Sequence, residues 1–447
     1  MLRPTQSAII FVQQLGRGLR KVPNKSFLTV IDFIGNYSNN YMIPIALFGD
    51  TSYNHDTLRK LINSGSACIP GASTIDFDFI ARERIFTAIN NASFNQQKLL
   101  IEEYNKVKNR LGRIPRLIEY LENDSIDPTL FIEKYGSYPL FLMKAETDYQ
   151  LNLSPAHLKS LEFISNEIAS GIRPHELVMI EQLINKGSFT LQNIKHILEK
   201  DWKTEIDDAS FNSAVNILAD KFFKEADRKK FGNIKYLSSN ESLNQFTITD
   251  EFTSLCQSKE YKDQLMQAID FGLSKYRMLA ESGKAEKGLI LYAKYSRKDV
   301  CKLLNWENEK ASTIYGYRVQ YNTTPWTCPI FVKYVKSEDI KDSIKYDDIF
   351  IDNTTFNWMT RNRVKVDSKE TVAIMDWKAN HIRLPLFVKK SDGEGRDFYY
   401  MGDVEPIKAE QQTIKSDGKD LPIVNILFHL RNAVRQDLFG YFENIRA

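Results

Sequence analysis

Cysteine is scarce: four residues, Cys68, Cys256, Cys301 and Cys328, are scattered through 447 with no C-x-x-C pair and no neighbouring histidine pair. That spacing signals neither a disulfide framework nor a zinc site, and it fits a reducing cytoplasm. No apolar run approaches the roughly 18 residues that a membrane span requires. Met1 is not followed by the charged-then-apolar pattern of a secretory leader. Charge of one sign is missing too: 60 Lys+Arg against 57 Asp+Glu leave +3. Any nucleic-acid surface must therefore come from local clustering. Two catalytic signatures are absent, the phosphate-cradling G-x-x-x-x-G-K-[ST] and the Mg²⁺-holding D-E-x-[DH]. The chain alone should not hydrolyse a nucleoside triphosphate. The six histidines show no metal-ligand spacing.

What is present begins with a basic amino end. Arg3, Arg17, Arg20, Lys21 and Lys25 occur with no acid in the first 25 residues. Within it lies Gln13-Gln14-Leu15-Gly16-Arg17-Gly18-Leu19-Arg20, a Q-x-x-G-R-x-x-R run. Arg17 and Arg20, three apart, share a helix face, and planar guanidinium suits the charge on a transferring phosphoryl group. Gly16 would let the backbone approach closely. Phe27 to Ile34 reads as a fully buried strand of an α/β sheet.

The run resembles the last motor motif of superfamily-two DEAD/DEAH-type helicases. Leu2 to Ser7, Val30 to Tyr37, Ile69 to Thr74, Pro385 to Asp392 and Phe398 to Gly402 extend the resemblance to a bacterial restriction- and repair-type helicase family. In that family a motor is followed by a long carboxy-terminal region of unassigned function. The resemblance implies that Arg17 and Arg20 are catalytic and that Gln13 and Gly16 contact nucleotide. ATP and Mg²⁺ would serve the intact motor, and DNA and an upstream helicase lobe would be the partners. It implies that the chain begins where a motor ends.

Further along, helical periodicity takes over. Leu100, Tyr104, Val107 and Leu111 share one face before Gly112 and Pro115, and Ser93 with Gln96 has capping-box spacing. Asp127-Pro128 opens a helix that Gly136 closes. Short helices with Arg113 and Arg116 between them can present a helix to a DNA groove, or can be an ordinary connector. Pro174 to Leu183, Thr190 to Leu198 and a helix opened by Ser210 precede two strand-like pieces, Ile234 to Leu237 and Phe246 to Thr249, in the order of a winged helix. Lys221, Lys224, Arg228, Lys229 and Lys230 are its candidate phosphate contacts, or a solvated helix face. Residues Glu251 to Glu281 continue helical, and Glu281 to Lys287 reads as a linker.

From Gly288 the chain turns to short aromatic and β-branched segments at Tyr315 to Gln320, Pro329 to Val335, Ile344 to Ile351, Thr371 to Met375, Pro385 to Val388, Phe398 to Met401 and Ile423 to Phe428. A helix over Ser296 to Leu304 precedes them, and one over His429 to Phe442 follows. Here Trp326, Trp358, Arg361, Arg363, Lys365, Arg383, Lys389 and Lys390 mix rings with cations, as a nucleic-acid groove requires, although tryptophans are equally apt to be core. Asp376-Trp377-Lys378 at a strand end would suit a Mg²⁺-dependent nuclease, or a surface salt pair.

The expected fold class is α+β and multidomain. It comprises the end of a RecA-like lobe (1–50), a helical helicase-associated region (51–172), a winged-helix-like and helical module (173–287) and a β-rich, barrel-like DNA-binding domain (288–447). The expected function is that of the carboxy-terminal portion of an ATP-dependent DNA helicase or translocase in bacterial defence or repair. The alternatives are a non-enzymatic DNA- or partner-binding protein and a nuclease.

Overall fold

The computed structural model describes residues 29–31, 34, 39–50, 52–64, 75–94, 96–123, 125–240, 245–334, 348–416 and 419–443. The nucleotide-binding set Gln13, Gly16, Arg17 and Arg20 lies outside them; of the buried strand expected over Phe27 to Ile34, Thr29, Val30, Ile31 and Ile34 are described and form no strand, with Val30 and Ile31 exposed. The chain divides into two compact units, residues 1–134 and 135–447. The α+β class is as expected, with a curled half-barrel sheet in the carboxy-terminal region.

The first unit is helical: α1 (Met42–Phe48), α2 (His55–Ser64), α3 (Phe79–Asn91), α4 (Gln97–Leu111), α5 (Leu117–Glu122) and α6 (Thr129–Tyr135), which ends at the division. Leu58, Ile62, Ile85, Ile89 and Phe94 form its core. Leu100, Tyr104 and Val107 are buried on one face of α4, as the four-residue spacing predicts. Gly112 ends that helix at φ +69°, its amide bonding the Lys108 carbonyl at 2.8 Å. Ser93 does not cap it; the helix starts at Gln97, and Gln96 makes no side-chain cap bond.

The second unit opens with α7 (Tyr138–Ala145) and α8 (Pro155–Phe163), which runs into a π-turn at Ile164–Ile168. Then come α9 (His175–Lys186), β1 (Ser188–Phe189), α10 (Leu191–Trp202), α11 (Asp208–Leu218), α12 (Glu225–Lys230), β2 (Leu237–Asn240) and β3 (Gln245–Ile248). The three strands form an antiparallel sheet in the order β1-β3-β2, giving the expected winged-helix sequence of elements. Thr190 caps α10 by accepting from the Asn193 amide. Asp207 rather than Ser210 caps α11, because its carboxylate reaches the Ser210 amide at 2.7 Å. Two more helices, α13 (Asp250–Cys256) and α14 (Lys259–Glu281), complete the helical part. Gly272 of α14 passes so close to Ala169 that a Cβ there would lie 2.8 Å from the Ala169 Cα.

The β-rich part follows: β4 (Ala285–Glu286), β5 (Leu289–Ile290), β6 (Lys294–Tyr295), α15 (Arg297–Leu303), β7 (Trp326–Thr327), β8 (Ile330–Lys333), β9 (Ile349–Asp352), β10 (Thr355–Met359), α16 (Lys369–Met375), β11 (Ile382–Arg383), β12 (Pro385–Lys389), β13 (Phe398–Ser416), β14 (Lys419–Leu430) and α17 (Gln436–Glu443). The main sheet runs β8-β12-β13-β14-β10-β9, with β6 beside β13. Three expectations shift here. Thr371 to Met375 is helical, because Ser368 caps it through the Thr371 amide and the buried Thr371, Ala373 and Ile374 fit a helix face. Tyr315 to Gln320 makes only isolated bridges. His429 belongs to β14, paired with Thr355, so the last helix starts later, at Gln436.

One core joins the two parts of this unit. Leu177, Ile180, Phe211, Leu218 and Phe222 of the helical module belong to the same buried cluster as Trp306, Phe331, Phe387, Phe398 and Tyr400. Among the described residues no helix is long and apolar enough to cross a membrane.

Candidate nucleic-acid interface

Most of the expected DNA contacts are otherwise engaged. Arg113 donates to Glu119 at 2.9 Å, and the Arg116 amide bonds the same carboxylate at 2.7 Å. The Arg113 hydrogen bond holds the Glu119 carboxyl below its usual range. Lys224 pairs with Glu309 (2.9 Å), Lys229 with Glu225 (2.6 Å) and Lys230 with Glu162 (3.6 Å). The winged-helix module has a more basic obstacle. Its third helix, α11, stands where such modules place a recognition helix, yet it carries no Lys or Arg and starts with Asp207 and Asp208. It faces α15 instead: Ser213 and Arg173 both donate to the Lys302 carbonyl, and Asn305 donates to Ser210 at 3.1 Å. The module holds the β-rich part in place.

Within the β-rich part, Trp358 is core, 3% exposed, edge-on to Tyr317 at 4.9 Å and beside Phe428 at 5.6 Å. Lys389 is buried, pairs with Asp392 at 3.0 Å and donates to the Gly395 carbonyl. Lys390 lies over the Tyr441 ring. Arg361 is exposed but held by Glu370 at 2.7 Å and packed over Tyr317. Arg363 stays exposed in solvent. Asp376 caps the end of α16 and not a strand, and no group of three or more His, Cys, Asp or Glu among the described residues is placed to hold a metal ion. The strand end expected to carry Asp376-Trp377-Lys378 is a helix end instead.

The structure assembles a different constellation. A cleft of about 290 Å³ is lined by Lys287, Pro325, Trp377, Lys378, His381, Arg383, Asp403 and Arg431, with Ile382, Leu384 and Val404 as its apolar wall. Two cations lie over the half-buried Trp377 ring: the Arg431 guanidinium at 5.2 Å and the Lys378 ammonium at 5.3 Å. Arg431 is further tied to Glu405 at 2.9 Å. Lys287 and Lys378 have no acidic partner among the described residues.

The cleft floor is rigid. Arg383 donates through Nε to both Asp403 oxygens at 3.1 Å and caps the Glu286 and Lys287 carbonyls at 3.0 and 2.8 Å. Burial works against the charge of Arg383, but Asp403 beside it keeps the guanidinium above its ordinary pKa. The Tyr400 hydroxyl completes the set at 2.8 Å from Asp403. The parallel pair β7–β11 sets Trp326 opposite Ile382 and Thr327 opposite Arg383, which brings Pro325 to the cleft wall. Beyond it, Tyr321 stands edge-on to Trp326 at 4.9 Å, with Lys369 over Tyr321 at 4.6 Å.

Sequence reasoning reached Trp377 and Lys378 only through the D-x-K spacing, and Arg383 only as one cation among several. Lys287 was read only as the end of a linker, His381 only as one of six histidines without ligand spacing, and Arg431 not at all, since nothing local marks residues brought together across more than a hundred positions.

Two family models match the chain, both domains of unknown function: DUF8090 over residues 100–278 and DUF3427 over residues 289–442. No curated protein matches. Among solved structures the chain is similar to the DNA modification-dependent restriction endonuclease AspBHI, at 14% identity over 35% of this chain and 81% of that one, with a TM-score of 0.26. It is similar also to the sulfur binding and SRA domains of ScoMcrA complexed with phosphorothioated DNA (11%, 65% and 96%, 0.22) and to the type IV phosphorothioation-dependent restriction endonuclease ScoMcrA (11%, 71% and 64%, 0.22). These findings correct the helicase resemblance: the matches are restriction-type proteins and domains of unknown function, not superfamily-two motors. The Q-x-x-G-R-x-x-R run and the short segments joined to it were too weak a signal to carry that assignment.

Proposed function

We propose that the chain is a DNA-binding protein of restriction-type defence, and that its β-rich part takes one nucleotide in the Trp377 cleft. The observation that carries this reading is the half-buried Trp377 indole that lines the cleft, with Arg431 and Lys378 over it. A flat ring offers a stacking surface to a base, and flanking cations offer counter-charge to its phosphates. Size narrows the substrate. About 290 Å³ admits a single nucleotide, whereas a duplex cannot enter. An unpaired nucleotide, from a single strand or displaced from a helix, fits that space.

Fluorescence anisotropy of the full chain with single-stranded, duplex, mismatched and phosphorothioated oligonucleotides tests the reading. Salt-sensitive binding that Trp377→Ala weakens is expected. An absence of salt-sensitive binding to every one of these probes would end it.

A further inference from the structure

The Trp377 cleft carries charge that the protein does not balance. Two of its cations are answered, Arg383 by the buried Asp403 and Arg431 by Glu405 at 2.9 Å. Glu286 is engaged elsewhere, accepting from Asn432 at 2.8 Å and pairing with Lys284 at 3.4 Å. Asp376 is exposed and is not part of the cleft lining. Lys287 and Lys378 line the cleft with no acidic partner among the described residues, so two ammonium charges are left over.

The backbone holds these lysines in place against its own preference. Lys287 and Gly288 are the two turn residues of the β4–β5 hairpin, whose strands pair Glu286 with Leu289, and their φ angles of +47° and +84° are those of a type I′ turn. The first position of such a turn favours Asn, Asp or Gly, because a longer side chain is strained at positive φ. A lysine stands there instead, and Arg383 fixes it by donating to the carbonyls of Glu286 and Lys287. Lys378 lies in the turn after α16, which the Ile382 amide closes on the Trp377 carbonyl at 2.9 Å and in which His381 is also left-handed, at φ +50°. Strained non-glycine residues gathered at one cleft point to a ligand and not to stability.

The rest of the wall is apolar, made by Pro325, Ile382, Leu384 and Val404. An internal nucleotide has a phosphodiester on each side of its sugar, and one of them would lose water against this wall without gaining a partner. A terminal nucleotide avoids that conflict: its base and sugar meet the wall and the indole, and its one phosphate meets the cations. A phosphomonoester carries about 1.5 to 2 negative charges at pH 7, which matches the two free ammonium groups. We infer that the cleft takes a terminal nucleotide through its phosphomonoester, held by Lys287 and Lys378. This inference rests on the cleft reading and names the ligand class of that same site.

Calorimetric titration of the full chain tests it, with dodecathymidylate carrying a 5′-phosphate, a 3′-phosphate or neither, and with thymidine 5′- and 3′-monophosphate. A phosphate at one end should tighten binding by about fivefold or more, and the end that shows the gain names the polarity. Lys287→Gln/Lys378→Gln, checked for an unchanged circular dichroism spectrum, should abolish the gain, whereas Trp377→Ala should weaken every form and keep it. Lys287→Gly removes the left-handed strain, so it should be no less stable in urea and yet lose part of the gain. A monophosphate that binds as tightly as the phosphorylated strand supports the site and assigns it to the free nucleotide; a weaker one supports it and assigns it to a strand end. Equal affinity of the parent for all three strands, with Trp377→Ala still weakening each, would overturn the inference and leave the cleft reading standing. A gain that survives in the double lysine variant would overturn it as well. Failure of the parent chain to bind any probe would remove both.

Discussion

Arg383 and Asp403 face each other below the Trp377 cleft, both buried, with the guanidinium Nε 3.1 Å from each carboxylate oxygen. The pair locks the 286–287 turn to the start of β13, so the cleft's cations stand on a fixed base. Removing one partner strands the other charge. Arg383→Ala should cost about 3–5 kcal/mol of stability, and Arg383→Met/Asp403→Leu together should cost less than either single change. Urea denaturation of the three variants checks this; a double variant weaker than both singles would contradict it.

Trp377 and Trp358 should separate binding from folding. Trp377→Ala is expected to weaken DNA binding by about 1–3 kcal/mol with little change in stability, the usual worth of one stacked base. Trp358→Ala should instead cost about 3–5 kcal/mol of stability, because it empties a core site beside Tyr317 and Phe428. Anisotropy and thermal melts on both variants decide; a Trp358→Ala protein as stable as its parent would refute the assignment to the core.

His175 sets an acid limit. It is fully buried beside Arg173, and neither ring nitrogen has a hydrogen-bond partner. Burial first, and then the Arg173 charge, lower its pKa to about 3. The folded pKa thus lies below the unfolded value near 6.5, so between these values the unfolded chain binds a proton that the folded chain refuses. The stability is fully present above pH 6.5 and falls as pH drops towards 3, by up to about 1.4 kcal/mol per pH unit. Urea denaturation at pH 7, 6 and 5 should show a shallower fall for His175→Leu; parallel curves would exclude the histidine as the cause.

Gly272 is a packing requirement and not a helix weakness. Alanine would gain about 1 kcal/mol in helix propensity. The added methyl would sit 2.8 Å from both the Ala169 Cα and a Leu177 methyl, and backbone cannot yield as a side-chain tip can. Gly272→Ala should therefore destabilise by about 1–3 kcal/mol, measured by denaturant midpoint. A stabilised variant would show that α14 moves freely against the 164–169 turn.

What the sequence determined by itself is local. Apolar spacing and capping chemistry set the face of α4, the Thr190 cap of α10 and the three-helices-then-hairpin order of the winged-helix module, because each depends on residues a few positions apart; the short strand β1 between the first two helices was added by the structure. Composition also placed the strand-rich region after Gly288. Short β-branched runs stayed ambiguous, and the Ser368 cap turned 371–375 into helix. Which cations are free was decided only by tertiary structure, since the partners of Lys224, Lys230 and Arg383 come from other elements. The cleft was decided there too: Lys287, Trp377, Asp403 and Arg431 meet because β4–β5, the end of α16, β13 and the end of β14 converge, and long-range pairing leaves no periodic trace in the chain.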